Sequence, residues 1–315
     1  MKTQHQGWTT ARIPQQVGRL VVITGATDEI GYSIGLALAR AGADVVLAAE
    51  NEIEGRNALA MIRPEAPAAL VRFEKLDVGS LDSSAEFARR MSRLGRPIDL
   101  LVNAADAGAI GSRGKRRLTA DGFELHLGTN YLGHFALTAL LLPLLRRSRQ
   151  PRVVEISSLS HRRGRIDFDD LQSERDYDPL KAYWQSKLAL LIFALELQRR
   201  SDVRGWGLIS AAAHPGYSRG EAFGNGFSPR ALARRLHRSL GSLVGQSAAS
   251  RALPALFAST APDIRRGGFY GPSGPFELVG PPGQARIAPT ARDAETARRL
   301  WEASEQLTGI KWPDV

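Results

Sequence analysis

Tyr183 and Lys187 stand four residues apart at the head of an apolar stretch, Leu188-Ala189-Leu190-Leu191-Ile192-Phe193-Ala194-Leu195. On a helix that spacing puts both side chains on one face, one turn apart. An ammonium beside a phenol favours the phenolate and lowers the tyrosine pKa. A tyrosine tuned in this way exchanges a proton with an alcohol or a carbonyl near neutral pH. Alone the pair is a weak signal, because Tyr and Lys at this spacing also occur on solvated helix faces. Its weight comes from the elements around it.

Near the N-terminus, Leu20-Val21-Val22-Ile23 reads as a buried parallel strand. The loop Thr24-Gly25-Ala26-Thr27-Asp28-Glu29-Ile30-Gly31 follows, and then a stretch with helical apolar spacing, Tyr32 to Arg40. In a strand–glycine turn–helix context the backbone can approach a pyrophosphate, and the helix N-terminus offers free N–H groups and a positive dipole end. A second strand, Ala43 to Ala49, ends at Glu50, where the ribose of an adenosine is expected. Leu70–Leu76 ending at Asp77-Val78, Ile98–Asn103, Arg152–Ser158 and Trp206–Ala211 read as four further strands with helical segments between them. This alternation predicts an α/β fold: a single Rossmann-type doubly wound parallel sheet with helices on both faces. Ligands of such sheets bind outside the carboxyl ends of the strands. Asn103, Ser158 and His214-Pro215-Gly216 fall at or just after those ends.

The 315 residues suffice for one domain of this kind. Residues 1–18 read as a surface extension anchored by Trp8. Residues 19–315 read as a single dinucleotide-binding domain with substrate loops at about 217–245 and a loop-rich C-terminal segment. The chain has no cysteine, which excludes disulfides and thiolate metal sites, and its six histidines show no H-x-x-x-H pair, so no metal is expected. No signal-peptide-like segment opens the chain, and the longest apolar run, Phe135 to Leu145, is too short for a bilayer. The expectation is a cytoplasmic protein with no membrane partner. The net charge of +10 is spread over Arg-rich loops and helix ends without interleaved aromatics, on no recognisable nucleic-acid module, so no nucleic-acid partner is expected. A basic surface can still steer an anionic ligand such as a dinucleotide.

Taken in order, these pieces resemble the short-chain dehydrogenase/reductase superfamily over nearly the whole chain. The Thr24–Gly31 loop, Asp77, Leu101-Val102-Asn103-Ala104-Ala105, Asn130, Ser158, Tyr183/Lys187 and His214-Pro215-Gly216 carry the resemblance. Asp121-Gly122-Phe123-Glu124, Asn130-Tyr131-Leu132-Gly133-His134-Phe135, Gly164–Leu171 and the long segment from Ser158 to Tyr183 are similar to the retinol-dehydrogenase-like branch. The resemblance implies an NAD(P)-dependent oxidoreductase that moves a hydride between a nicotinamide cofactor and a small-molecule alcohol or carbonyl, expected to be hydrophobic. Tyr183 would be the general acid or base, and Lys187 would tune it and bond the nicotinamide ribose. Ser158 would hold the substrate oxygen, and Asn130 would position a water that links Lys187 to solvent. Gly25, Thr27, Ile30, Gly31, Glu50, Asp77, Val78, Asn103, Ala105, Pro215 and Gly216, with Tyr183 and Lys187, would line the cofactor. On the residues alone, Ser158 reads equally as a turn-capping hydroxyl, Asn130 as a satisfied buried amide and His214 as part of a structural turn.

Three departures from the family pattern lie in the cofactor cradle. Glu29 replaces the middle glycine, Asp106 ends Asn103-Ala104-Ala105-Asp106 where the family has glycine, and Gly220 stands where a threonine is expected. An inward Glu29 would oppose a pyrophosphate; an outward one would stabilise the helix start. These changes keep a second reading open, a non-catalytic dinucleotide-binding sensor or scaffold. A carboxylate at Glu50 bonds free ribose hydroxyls and repels a 2′-phosphate, which favours NAD over NADP. The helices from Asn130 to Leu145 and from Tyr183 to Gln198 are more apolar than a helix with a wet face requires. They predict a homodimer through these helices, or else cover of part of that surface by the long loop between Ser158 and Tyr183 within one chain.

Overall fold

The computed structural model describes residues 7–108, 114–216 and 246–313. The expected substrate loops at 217–245, with Gly220, lie outside the described residues. The described strands are β1 (Leu20–Thr24), β2 (Asp44–Ala49), β3 (Val71–Lys75), β4 (Leu100–Asn103), β5 (Arg152–Ile156), β6 (Ile209–Ala213), β7 (Phe269–Pro272) and β8 (Pro282–Gln284). They form one sheet in the order β3-β2-β1-β4-β5-β6-β7-β8. Every pairing is parallel except β7 with β8. The chain order reverses direction across the sheet between β1 and β4, the switch point outside which a crevice opens.

The described helices are α1 (Glu29–Arg40), α2 (Glu52–Glu65), α3 (Leu81–Arg93), α4 (Gly133–Leu145), α5 (Pro179–Arg204), α6 (Ala248–Thr260) and α7 (Ala294–Thr308). Two apolar cores flank the sheet. Ile34, Leu38, Ile62, Leu256 and Phe257 of α1, α2 and α6 pack on one face. Phe87, Phe135, Leu141, Phe193, Leu197 and Trp301 of α3, α4, α5 and α7 pack on the other. Burial on both faces is why β1 and β4 read as nearly continuous apolar runs rather than alternating ones.

Asp178 starts α5 by accepting from the N–H groups of Leu180 and Lys181, Pro179 supplies a pre-set first turn, and Gly205 ends it at φ 64°. Both α4 and α5 are buried nearly all round. Their cover comes from the C-terminal part of the same chain: the Trp301 ring centroid lies 5.0 Å from that of Phe135, and Trp312 stacks on Trp206 at 5.7 Å. The N-terminal segment is anchored as expected, with Trp8 edge-on against Phe257 at 5.4 Å. Among the described residues no helix is long and apolar enough to cross a membrane.

Candidate active site

The glycine loop sits at the switch point, and two of its residues show why it must be glycine-rich. Gly25 has φ 61°, and a Cβ on it would lie 2.6 Å from Ala105 Cα in the loop after β4. A Cβ on Gly31 would lie 2.2 Å from the Gly25 carbonyl oxygen. The first turn of α1 therefore presses on the loop itself, and its leading N–H groups have no partner within the helix. Thr27 and Ile30 are partly exposed at this opening. Glu29 turns away from it: its side chain is 75% exposed and pairs with Arg251 of α6 at 3.1 Å. The inward orientation weighed from the sequence is thus replaced by the outward one, because a cation is available on that side.

Glu50, just past β2, lines a groove of about 670 Å³ with Asn51, Lys75, Asp77 and Ser80. Asp77 Oδ1 accepts from the Gly79 N–H at 2.8 Å, which fixes the turn after β3, and Val78 is buried behind it. The Asn103 side chain turns into the protein. The β4–β5 register sets it opposite Glu155, and its amide donates inward to Glu155 Oε1 at 2.7 Å and Thr138 Oγ1 at 3.0 Å.

The loop after β4 is held from two sides. Thr24 Oγ1 accepts from the N–H groups of Ala104 and Ala105, at 2.9 and 3.0 Å. It lies 2.9 Å from His134 Nε2, while His134 Nδ1 lies 2.8 Å from the Asn130 carbonyl. A carbonyl only accepts, so Nδ1 carries the proton, and the Thr24 hydroxyl donates to Nε2. Burial holds the His134 pKa down at about 4, against the opposing pull of that backbone bond, so the imidazole is neutral near pH 7.

Asn130 lies in a π-helical turn, Leu127–Leu132, that runs directly into α4. Such turns insert one extra residue and concentrate at functional sites. Its Oδ1 accepts from the Ala107 N–H at 2.8 Å and its Nδ2 donates to Ser186 Oγ at 3.0 Å. Both side-chain atoms are thereby committed to the protein, joining the post-β4 loop to α5.

Tyr183 and Lys187 are both buried on α5, with Lys187 Nζ 5.7 Å from the Tyr183 ring centroid. Nζ donates to the Ile156 carbonyl at the end of β5 and to Asp106 Oδ2, each at 3.0 Å. Burial raises the Asp106 pKa, but the charge and hydrogen bond of Lys187 outweigh it, with help from the Gly108 N–H and His126, and the carboxyl ends below its ordinary value. Glu155, fully buried nearby, is pushed up to about 8 by burial, against the Asn103 bond and Lys187. Ser158 caps a short 3₁₀ turn, Leu159–Arg163, its Oγ accepting from the Ser160 N–H at 3.2 Å. That bond leaves the hydroxyl proton free to donate. Past β6, Pro215 and Gly216 are buried, Gly216 at φ 76°. His214 is buried, its Nδ1 accepting from the Gly216 N–H at 3.2 Å within the turn and its Nε2 3.2 Å from Glu277.

The structure thus brings Tyr183 and Lys187 together on α5, ties Asn130 to Ser186 between them and to the loop that carries Asp106, and sets Ser158 just past the end of β5. Three members were missed as site residues in the sequence. Thr24 and His134 stand within the glycine-loop and Asn130–Phe135 motifs, but nothing in their spacing shows that they bond each other across 110 residues. His126 is fully buried with its ring edge-on to Tyr183 at 5.7 Å, and both its nitrogens lack a hydrogen-bond partner.

Comparison with known proteins agrees with this geometry. The family model described as short chain dehydrogenase matches residues 19–223. A polyprenol dehydrogenase of Mus musculus is 41% identical over 302 residues, covering 94% of this chain and 86% of that protein. Retinol dehydrogenase 13 of Homo sapiens is 37% identical over 306 residues, covering 95% and 87%. The crystal structure of an uncharacterized protein from Mycobacterium Paratuberculosis superposes with a TM-score of 0.80 at 38% identity, covering 98% of this chain and all of that one. A short chain dehydrogenase from Shigella flexneri, solved in complex with NADP, shares the fold at a TM-score of 0.61 and 21% identity, covering 82% and 98%. The chain belongs to the short-chain dehydrogenase family, in its retinol-dehydrogenase-like branch, and is an oxidoreductase.

Proposed function

We propose that this enzyme interconverts an apolar alcohol and its carbonyl compound, with Tyr183 exchanging the proton at the substrate oxygen. One observation carries the reading: a buried Lys187 ammonium lies one helical turn from Tyr183, at the crevice end of the sheet. Lys187 favours the phenolate and so makes Tyr183 a competent base for alcohol oxidation and, once protonated, an acid for carbonyl reduction. Ser158 donates its unspent hydroxyl proton to the substrate oxygen. Asn130 holds the post-β4 loop and α5 at a fixed separation.

The cradle fits a dinucleotide. The space at Gly25 and Gly31 excludes any side chain, the α1 N-terminus is open, and Glu29 points away. A nicotinamide dinucleotide held there supplies or accepts the hydride. Glu50 and Asp77 border the adenosine end and favour free ribose hydroxyls, which supports NAD. The relatives named for polyprenol and retinol suggest an isoprenoid alcohol as the substrate class, since both compounds are long apolar alcohols. The cytoplasmic location expected from the sequence belongs to the same proposal and is tested by cell fractionation. The pairing of Lys187 with Asp106 is the observation that favours a sensor instead, because it occupies a donor otherwise open to the cofactor.

The experiment is a turnover screen of prenols, retinol and the matching aldehydes with NAD(H) and NADP(H), followed by Tyr183→Phe on the best pair. The variant is expected to lose about 10²–10⁴-fold in kcat, with dinucleotide affinity and melting temperature unchanged. Near-native kcat in the variant overturns the role of Tyr183. Tight dinucleotide binding with no turnover across the screen favours the sensor.

A further inference from the structure

Lys187 is the charge centre of the site, and its surroundings determine how much of that charge Tyr183 feels. The ammonium has three donors; one serves the Ile156 carbonyl and one Asp106 Oδ2. The Asp106 loop is fixed in place. Thr24 holds the N–H groups of Ala104 and Ala105, Asn130 holds that of Ala107, and Asp106 Oδ1 accepts from Gly108 at 3.0 Å. A second carboxyl, Glu155 on β5, also faces Lys187, but with a pKa raised by burial to about 8 it is mostly protonated at neutral pH. His126, with Glu124 and Arg117 beside it, and His134 on α4 complete the surroundings; burial keeps both imidazoles below their ordinary pKa, hence neutral. Asp28 ahead of α1, pushed up by desolvation and then by Asp106 and Glu54, faces Asp106 rather than Lys187. Asp106 is therefore the charged partner of Lys187.

We propose that Asp106 is a positioning residue of this enzyme: it tethers the Lys187 ammonium and offsets its charge, so that Tyr183 gives up its proton at a higher pH than Lys187 alone would set. The inference rests on the reading of Tyr183 as the proton-exchanging group. Lys187 Nζ lies 5.7 Å from the Tyr183 ring centroid, and Asp106 is one contact further. A carboxylate at roughly 8 Å, through an effective dielectric of about 20–40, moves a phenol by about one pH unit.

The test follows the ionisation of Tyr183 in the intact chain by tyrosinate ultraviolet absorbance. The chain has six tyrosines, so Tyr183 is read as the difference between each protein and its Tyr183→Phe counterpart. In Asp106→Asn the Tyr183 step moves about one pH unit towards acid. Asp106→Glu restores it, and the acid shift persists when Lys187→Met is also present, as a through-space effect of the carboxylate requires. The pH profile of kcat/KM on a confirmed substrate moves in the same direction. Should Asp106→Asn not fold, Asp106→Gly removes the same charge and gives the same readout. An unchanged Tyr183 step, or a step that moves towards alkali in Asp106→Asn, overturns the proposal. The titration needs no turnover, so its failure is distinct from that of the catalytic reading, which falls if Tyr183→Phe keeps its activity or if no alcohol or carbonyl compound is turned over.

Discussion

Glu155→Gln probes the buried electrostatics on which the site is built. Glu155 is fully buried on β5; its Oε1 accepts from Asn103, and its Oε2 has no hydrogen-bond partner. Burial raises its pKa from the ordinary 4.5 to about 8, although the Asn103 bond and Lys187 pull the other way. The folded protein therefore keeps a proton that the unfolded chain has released. The stability this group contributes is fully present below about pH 4.5 and is lost as pH rises through 8. The buried histidines His126, His134, His161 and His214 act in the opposite sense. Burial lowers each pKa, so their contribution grows with pH up to about 6.5 and is level above it. From about pH 6.5 to 9, Glu155 alone of these five still titrates, and at about 1.4 kcal/mol per unit its loss comes to about 2 kcal/mol. Glutamine keeps the shape and the acceptor for Asn103 but cannot ionise. Urea unfolding of both proteins at the two ends of that window should show the variant gaining about 2 kcal/mol on the wild type as the pH rises. A stability difference independent of pH would mean that Glu155 is already ionised at the lower pH, and that Lys187 divides its charge between two carboxylates.

Two further predictions concern the cofactor crevice. Glu29→Gly should leave dinucleotide affinity within about twofold, because the carboxylate already points at Arg251; it should lower the melting temperature, through loss of an exposed ion pair worth ~0–1 kcal/mol and a looser first turn of α1. Calorimetric titration at low salt that shows a severalfold gain in affinity would contradict the outward orientation. Glu50→Arg should shift the ratio of kcat/KM towards NADP by removing a carboxylate and adding a phosphate partner. A wild type that already prefers NADP by about tenfold would refute the role given to Glu50.

The sheet was legible in the sequence wherever both faces of a strand are buried, as in Leu20–Thr24 and Arg152–Ile156. It was less legible at one edge. The expected strand Trp206–Ala211 is displaced to Ile209–Ala213, because Gly205 and Gly207 adopt φ 64° and 69° and Trp206 turns aside to stack on Trp312. The strands Phe269–Pro272 and Pro282–Gln284 gave no signal, since glycine and proline make up much of both. Backbone pairing to an existing sheet edge supplies what propensity does not. The π-helical turn under Asn130 was equally invisible, because one inserted residue barely disturbs an apolar period in so apolar a segment.

The two acids introduced into the cradle show most clearly where sequence reasoning stops. Glu29 and Asp106 are alike on paper, each a carboxylate where the family pattern has glycine beside an anionic cofactor. A carboxylate's influence depends on the nearest cation, and the nearest cation is set by the fold. Glu29 meets Arg251, 222 residues away in the chain and on α6. Asp106 meets Lys187 at the centre of the site. The first pair has little purchase on the crevice. The second leaves the crevice less negative than a free carboxylate would make it, since the two charges largely cancel for anything as distant as the pyrophosphate. At the range of a phenol one turn away they do not cancel in the same manner, because Lys187 is the nearer of the two. An acid that looks like a defect in cofactor binding is thus better understood as a control on proton exchange.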